Sequence, residues 1–356
     1  MLVLSNEEIT KILEMKDCIE ILEESYLDLA QGRALYSPGV DNLAPSGRGD
    51  AYYAFKHTGG TWPNRGIQAL RIKSDIINHE LVAGIPRRVK LPLAGGRWVG
   101  LVLLFSTESG ELLAMFPDGV AQRMRVGGSS GLGVKYMARP DARKVALIGS
   151  GWQAGSQLMA VLAVRAVEQV KVFSLRRESR EQFAREATQK YGIPIQAVDT
   201  PEECVKDADI ILAATSSMLS VIKPEWLKKG VHLSCIKPQE IDSQVLARCD
   251  RVVVHIINKD QHNDNIMLGT PGIIKEHVKG WWILEKEKLE QSNNLMDLVS
   301  KRALGRVGED EITFFYNNDG VGLQFAAVGS LILERARLSG MGTDLPREWF
   351  TESVHP

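Results

Sequence analysis

The stretch Gly149-Ser150-Gly151-Trp152-Gln153-Ala154 decides the fold of this chain. It directly follows the apolar run at residues 145–148 and leads into a helix predicted over residues 153–167. In such a turn the first glycine takes the chain from strand to helix, and the second lets the backbone approach a pyrophosphate. The small third residue lets the helix pack on the sheet, and the unpaired N–H groups at its start bind phosphate. We therefore predict that this stretch binds a dinucleotide.

A string of this kind is weak evidence for a dinucleotide site by itself, because a chain with 32 glycines can carry it by chance or as a tight turn. Here the pattern continues in register. Strands are predicted at residues 170–173, 210–213 and 231–235, with a helix at residues 178–191. Such alternation is typical of a parallel sheet covered by helices on both faces. It favours a Rossmann unit that begins near Lys144.

The part of the chain before this unit shows a different pattern of predicted helices and strands. Residues 17–31 have apolar side chains at helical spacing, whereas residues 52–116 contain strand-like segments that follow one another without helices between them. We therefore predict an α/β protein, with a Rossmann-type doubly wound parallel sheet plus a smaller α+β domain. Further helices are predicted at residues 281–293 and 325–338, and the second of these is expected to return to the first domain.

Length and charge limit the number of domains and the kinds of partner that we expect for this chain. A chain of 356 residues fits two domains of about 100–200 residues each. Forty-three basic residues against 44 acidic ones give no electrostatic reason to expect a nucleic-acid or membrane partner. The first residues lack the features of a signal peptide, and no apolar run is long enough to span a bilayer. The four cysteines are scattered, so we expect reduced thiols and a cytoplasmic protein.

The segment Phe173-Ser174-Leu175-Arg176-Arg177 bears on the choice of cofactor. NAD enzymes usually carry an acid there, about 20 residues after the glycines, to bind the ribose hydroxyls. That acid is missing, and Ser174, Arg176 and Arg177 suit a 2′-phosphate. The alternative is that both arginines are solvated loop charges beside Glu178 and Glu181. The sequence favours NADP over NAD.

Several motifs resemble the ornithine cyclodeaminase/μ-crystallin family over nearly the whole chain. They are an Arg-x-Gly-Gly-x-x-Gly sequence at a predicted helix start (residues 125–131), the Gly-Ser-Gly-x-Gln-Ala turn, Ala214-Thr215-Ser216-Ser217, residues 230–232 leading to Glu240-Ile-Asp242, and a tail helix at residues 322–342. The resemblance implies hydride transfer between a nicotinamide and the α-carbon of an amino or imino acid. It also places Thr215 and Ser216 at the cofactor.

The resemblance further implies how the chain is divided. Residues 1–125, completed by residues 322–356, are expected to form a substrate-binding and dimerisation domain, and residues 126–321 the dinucleotide-binding Rossmann domain. The protein is expected to be a homodimer joined through the first domain, with the tail helix as part of it.

Family substrate sites hold a carboxylate with a basic residue on a strand of the first domain and an arginine at the domain junction. By position these residues resemble Arg71 and Arg125, and Lys73 shares a strand face with Arg71, since strand side chains repeat every two residues. Two cations that converge on one cleft fit a small anionic substrate. Alternatively, Lys73 is an exposed charge at the end of a strand.

The sequence departs from the family at the catalytic loop. Cyclodeaminases carry an aspartate after the strand that matches residues 231–235, whereas this chain reads Ile236-Lys237-Pro238-Gln239-Glu240. An arginine expected near residues 38–41 is also absent, and the acid usual in the tail helix is replaced by Gln324. Lys237 is a candidate proton donor if buried, or else a surface lysine. Cyclodeamination of ornithine is therefore not expected, unless Glu240 or Asp242 supplies the base.

The leading hypothesis is an NAD(P)-dependent oxidoreductase acting on an imine- or amino-acid-type small substrate, as ketimine reductases and amino acid dehydrogenases do. Arg125 would place the substrate, and the proton would come from Lys237, Lys73 or water. The alternatives are an ammonia lyase of the cyclodeaminase type that uses NAD internally, and a non-catalytic protein that binds NADP or a small ligand. The seven histidines lack ligand spacing, so no metal site is predicted.

Overall fold

The computed structural model describes residues 1–48, 51–82, 84–257, 266–267 and 291–354. The helix predicted at residues 281–293 lies outside these ranges as far as residue 290. None of the described helices has the length and apolar character that a membrane crossing requires.

Strands and helices are numbered separately along the chain. The described strands are β1 Leu2–Val3, β2 Leu35–Tyr36, β3 Val40–Pro45, β4 Tyr52–Trp62, β5 Ile67–Val82, β6 Ile85–Leu91, β7 Val99–Ser106, β8 Leu112–Pro117, β9 Lys144–Ile148, β10 Gln169–Phe173, β11 Ile195–Ala197, β12 Ile210–Ala213, β13 His232–Cys235, β14 Arg251–Val254, β15 Ile266–Met267, β16 Asn293–Asn294, β17 Thr313–Tyr316 and β18 Thr343–Asp344. The described helices are α1 Asn6–Ile12, α2 Met15–Ala30, α3 Asp118–Met137, α4 Trp152–Val164, α5 Arg177–Tyr191, α6 Pro201–Val205, α7 Ser243–Ala247, α8 Leu295–Val299 and α9 Gly322–Ser339. Short 3-10 helices cover Pro63–Arg65, Pro224–Trp226, Pro238–Glu240 and Arg347–Phe350.

The first sheet is built mainly from strands that are neighbours in sequence. Its order is β15-β3-β4-β5-β7-β8-β1-β18, with β2 added on β4 and β6 on β5. The long strands β4 and β5 pair antiparallel, and β5 pairs antiparallel with both β6 and β7. Sequential strands joined by short connections give such antiparallel pairs.

The second sheet has the order β11-β10-β9-β12-β13-β17-β14-β16, and its described pairs are all parallel. Strands β12, β13 and β17 are buried at every position, as expected for a parallel sheet covered on both faces. The order reverses between β9 and β12, which is the switch point of a doubly wound sheet. The predicted fold class is confirmed.

Helix α3 connects the two sheets. Nearly every residue of α3 from Met124 to Val134 is buried, and its glycines admit close neighbours. A Cβ at Gly128 would lie 2.6 Å from Leu22 in α2, and one at Gly127 would lie 2.7 Å from the Ser156 carbonyl in α4. The sequence placed the start of this helix at Arg125, but the helix begins at Asp118. A domain boundary at residue 125 would therefore fall inside a continuous helix.

The tail helix α9 packs against β4, β5 and α2 of the first half. The backbones of α9 and β4 touch, because a Cβ at Gly60 would lie 2.1 Å from the Leu323 nitrogen. Only glycine permits this approach. As a result, Gln324 and Phe325, near the start of α9, lie beside Arg125 of α3.

Candidate active site

Two cavities lie next to each other at the carboxyl ends of the second sheet. The larger is a groove of about 740 Å³ along the ends of β9, β10 and β12. Its lining includes the predicted cofactor residues Gly149, Ser150, Gly151, Trp152, Gln153, Ser174, Arg176, Thr215 and Ser216. Rossmann sheets bind dinucleotides at this edge and at this switch point. The structure thus brings together residues that are far apart in the sequence.

The two glycines of the turn serve different purposes. Gly149 has φ +118°, and a Cβ there would lie 2.3 Å from the carbonyl oxygen of Ala214 at the end of β12. Gly151 is the N-cap of α4, and a Cβ there would meet nothing within 4 Å. The first glycine is therefore needed for packing, and the second keeps open the space in front of a helix N-terminus, where phosphate binds. Ala154, fully buried, is the small residue at which α4 packs on the sheet.

Trp152 forms a wall of the groove and is 56% exposed. The Arg123 guanidinium of α3 lies 4.0 Å from the centre of its ring. Cation–π contacts of this kind hold an exposed aromatic side chain in place. Arg123 was not identified from the sequence, because its partner is in another helix.

The end of β10 is held by hydrogen bonds. The Ser150 hydroxyl donates to the Ser174 hydroxyl over 2.9 Å, and Arg180 donates to the Ser174 carbonyl over 3.0 Å. Arg176 lines the groove at the N-cap of α5. Among the groove-lining residues that the structure describes, none is Asp or Glu. The acid that binds ribose hydroxyls in NAD enzymes is thus absent from this described lining as well as from the sequence.

In the structure, the Arg177 side chain is paired within α5. Its Nε donates to Glu181 one helical turn later over 2.7 Å, and its side chain is 73% exposed. Arg177 does not line the groove. The reason is helical geometry: Arg177 is the first residue of α5, and a glutamate four residues on lies on the same face.

The smaller cavity, of about 290 Å³, lies between the first sheet and the loops that follow β12 and β13. Arg71 and Lys73 on β5, Arg125 on α3 and Lys237 after β13 all line it. The structure therefore gathers every predicted substrate-binding and catalytic side chain around one space. Their backbones come from three separate parts of the chain.

Arg125 is buried and has only amide partners. It donates to the Gln122 side chain over 2.8 Å and to the Gln324 side chain over 3.0 Å, and its guanidinium lies over the Phe325 ring. Within the described ranges, no ion pair neutralises it. Burial, with repulsion from Arg71, lowers the pKa of Arg125 to about 9. Its positive charge is costly in this position, and a bound carboxylate would offset that cost.

Gln324 is itself fixed by a buried chain of hydrogen bonds. Its amide donates to the Ser129 hydroxyl over 2.7 Å, Ser129 bonds to the Tyr26 hydroxyl, and Tyr26 bonds to Nε2 of His255. Nδ1 of His255 donates to the Asp319 carbonyl, which fixes the ring tautomer. Burial lowers the pKa of His255 to about 3, so the ring is neutral near pH 7. The described residues include no cluster of His, Cys, Asp and Glu suited to a metal ion.

Asp118 is a buried site residue that sequence reasoning missed. Its carboxylate accepts from Arg71 over 2.8 and 3.0 Å, and Lys73 lies 3.4 Å away. Burial opposes its charge, but Arg71 and Lys73 hold the pKa of Asp118 below its usual range. Arg71 is therefore partly engaged by the protein itself. No sequence signal marked Asp118, because the predicted helix began only at Arg125 and left this acid outside it.

Lys237 lies in the wall between the two cavities and is not a surface lysine. Burial lowers the pKa of Lys237 to about 8, and repulsion from Arg88 and Arg87 acts in the same direction, against the opposing charge of Glu240. Ser216, Ser217 and Ile236 line both cavities together with Lys237. A group in this wall is therefore shared by the two cavities.

Neither Glu240 nor Asp242 can take the place of the missing aspartate. The buried Glu240 carboxylate accepts backbone N–H bonds from Thr215, Ile236 and Lys237, which ties the two loops together. Asp242 caps α7 through the nitrogens of Gln244 and Val245. Glu240 and Asp242 are absent from the described lining of the smaller cavity.

Comparison with known proteins agrees with this geometry. The model of the ornithine cyclodeaminase/mu-crystallin family matches residues 81–340. A Delta(1)-pyrroline-2-carboxylate reductase of Bacillus cereus is 29% identical over 290 residues, which cover 79% of this chain and 81% of that protein. The structure of the Thermococcus litoralis Delta(1)-pyrroline-2-carboxylate reductase with NADH and L-proline has a TM-score of 0.77 and 26% identity, and covers 97% of this chain and 100% of that one. An archaeal alanine dehydrogenase dimer with bound NAD has a TM-score of 0.76 at 22% identity, covering 97% and 99% of the two chains.

Proposed function

Since this chain belongs to the ornithine cyclodeaminase/mu-crystallin family, we propose that it reduces the C=N bond of a small α-imino acid with hydride from NADPH. It is an NAD(P)-dependent oxidoreductase that acts on an imine- or amino-acid-type substrate. The two reductases compared above are named for a cyclic imino acid, Delta(1)-pyrroline-2-carboxylate. That compound is the first substrate to test.

One observation carries the proposal for the substrate: the Arg125 guanidinium is buried beside a cavity and has only amide partners. A carboxylate would accept a charge-assisted, bidentate hydrogen bond from it. Arg71 and Lys73, held by Asp118, would face the same carboxylate from β5. The α-carbon of such a substrate would then lie toward the wall that separates the cavities.

Lys237 is proposed as the proton donor. With a pKa of about 8, its ammonium is the main form near pH 7, yet it gives up a proton readily. The proton passes to the imine nitrogen, and the iminium carbon becomes electrophilic. The nicotinamide, when bound, supplies the hydride that forms the new C–H bond, and the product is an amine. The neutral Lys237 amine can accept the proton in the reverse, oxidative direction.

NADP is proposed in place of NAD. The supporting observations are the missing acid after β10, the position of Arg176 in the groove and the absence of Asp and Glu from its described lining. Arg177 is no longer part of this proposal, because it pairs with Glu181 outside the groove. The two solved structures compared above hold NADH and NAD, and titration of this protein with NADPH and NADH tests the proposed preference.

We also propose a homodimer joined through residues 1–125 and 322–356, the substrate-binding part, with residues 126–321 as the dinucleotide-binding part. The archaeal alanine dehydrogenase structure is a dimer. In the proposed dimerisation part, Leu35, Leu338 and Trp349 expose 58%, 81% and 68% of their surface. Light scattering on the purified protein tests this, and a monomer at micromolar concentration would contradict it.

The test of function is NADPH consumption with an α-imino acid. We expect turnover with Delta(1)-pyrroline-2-carboxylate or with the imine formed from pyruvate and methylamine, and none without the imine. Ornithine should release no ammonia at constant NADPH, because the loop at Lys237 lacks the required base. Ammonia release from ornithine would support the lyase, and tight NADPH binding without turnover of any imine would support a non-catalytic binding protein.

A further inference from the structure

The hairpin of β5 and β6 leaves the first sheet and reaches the groove of the second. Arg87 in β6 forms an isolated antiparallel bridge with Ser217, in the loop after β12. Arg87 lines the larger cavity, whereas Arg88 and Lys90 line the smaller one. The opposite directions of Arg87 and Arg88 follow from strand geometry, since successive side chains point to opposite faces. A single strand thus contributes side chains to both cavities.

The groove that Arg87 enters has an excess of positive charge. Arg87, Arg176, Lys223 and Lys237 line it, and the described lining contains no acidic residue to balance them. Nε of Arg87 is buried and has no hydrogen-bond partner among the described residues. Burial and the nearby charge of Arg176 both lower the pKa of Arg87. Two guanidinium groups that repel each other over an open groove are arranged for an anion.

The position of these two guanidinium groups indicates which anion they bind. The pyrophosphate of a dinucleotide is expected at the N-terminus of α4, beside Gly151. Arg176 follows β10, and the end of that strand lies next to the adenosine ribose in Rossmann units. Arg87 lines the same groove as Arg176, and the charge of Arg176 lowers the pKa of Arg87, so a phosphate at the ribose end of the cofactor would lie near both guanidinium groups.

We infer that Arg87 and Arg176 together bind the 2′-phosphate of NADP, one from each sheet. This inference rests on the proposed use of NADP. Each guanidinium offers a planar fork that matches phosphate oxygens. The phosphate would hold β6 against the groove, and β6 would in turn hold Arg88 and Lys90 at the substrate cavity. Arg87 is a specificity-determining residue that lies outside the Rossmann part of the chain.

The experiment compares Arg87→Gln with the wild-type protein by fluorescence titration of NADPH and NADH. Arg97→Gln is the matched control, because Arg97 is exposed in the connection between β6 and β7 and lines neither described cavity. We expect Arg87→Gln to raise the Kd for NADPH by about tenfold or more, as for a lost charged hydrogen bond. The Kd for NADH should stay within about twofold, as should both values in Arg97→Gln.

Adenosine 2′,5′-bisphosphate provides a second probe, because it carries the 2′-phosphate but lacks the nicotinamide. It should displace NADPH from the wild type and bind more weakly to Arg87→Gln. Arg87→Lys should restore part of the lost affinity for this probe. Equal weakening of NADPH and NADH would overturn the inference, since Arg87 would then bind the pyrophosphate. Unchanged NADPH affinity in Arg87→Gln would also overturn it. A wild type that prefers NADH would instead refute the proposed cofactor, and this inference with it.

Discussion

The two cavities are built in different ways. The larger cavity, the proposed dinucleotide groove, is built around a glycine turn and the loops that follow neighbouring strands, and its described lining has positive charge without negative charge. The substrate cavity is formed by long charged side chains from distant segments, and its cations are partly balanced by Asp41, Asp75 and Asp319 in the same lining. The groove is therefore suited to a large anionic ligand, whereas the substrate cavity is tuned by individual contacts.

Because of this difference, we expect mutations to act differently in the two cavities. In the groove, shape is decisive, because a side chain in front of α4 removes the space for phosphate. In the substrate cavity, the balance of charge is decisive, because Arg125 is paired with amides while Arg71 is paired with Asp118. A change in one cavity should leave binding in the other largely intact, except at their shared wall and in β6, which lines both.

The largest effect is expected at Gly151. Gly151→Val places a branched side chain into the open space at the start of α4, so dinucleotide binding should be lost. The fold should persist, since a Cβ there meets no described atom within 4 Å. Calorimetry should detect no NADPH binding, with an unchanged circular dichroism spectrum. A folded variant with wild-type NADPH affinity would show that the groove does not bind the pyrophosphate at this turn.

The next effect tests the independence of the substrate cavity. Arg125→Ala removes the proposed carboxylate ligand and should lower kcat/KM for the imine by about a hundred- to a thousandfold. The Kd for NADPH should change little, because Arg125 does not line the described part of the groove. Steady-state kinetics and titration on the same preparation separate the two effects.

Gln324→Glu is the matched variant for Arg125. It keeps the size of the side chain and places a carboxylate where the Arg125 guanidinium now has an amide partner, 3.0 Å away. The new acid should compete with the substrate carboxylate and raise KM, with a smaller change in kcat. A variant with unchanged KM would mean that Arg125 does not bind the substrate.

Much of the groove could be predicted from the sequence, because its parts are local. The strand, the glycines and the helix are adjacent in the chain, and each has a backbone requirement that limits the residues allowed. The substrate cavity was only partly predictable. Asp118 and the Tyr26–His255 pair depend on contacts between segments far apart in sequence. The start of α3 was misplaced because Pro117 and Asp118 read equally well as a loop.

The shared wall provides a pH test. If protonated Lys237 donates the proton, kcat for imine reduction should be constant below about pH 8 and fall about tenfold per pH unit above it. The sign follows from the group: the ammonium is the active form, and it is lost as pH rises through its pKa. Lys237→Met should lower kcat and abolish this fall. A wild-type rate that rises above pH 8 would contradict the assignment.

The smallest effect is expected at Arg177, where sequence and structure differ most within the groove region. The sequence placed this side chain beside the 2′-phosphate, but its position at the start of α5 directs it to Glu181. An exposed pair of this kind contributes little to stability or binding. Arg177→Gln should therefore leave the Kd for NADPH within about twofold of the wild type, whereas Arg176→Gln should weaken it by about tenfold or more. Adjacent arginines with such different effects would show that cofactor preference depends on which face of the helix start a charge occupies. Equal effects would mean that Arg177 exchanges Glu181 for the phosphate when the cofactor binds.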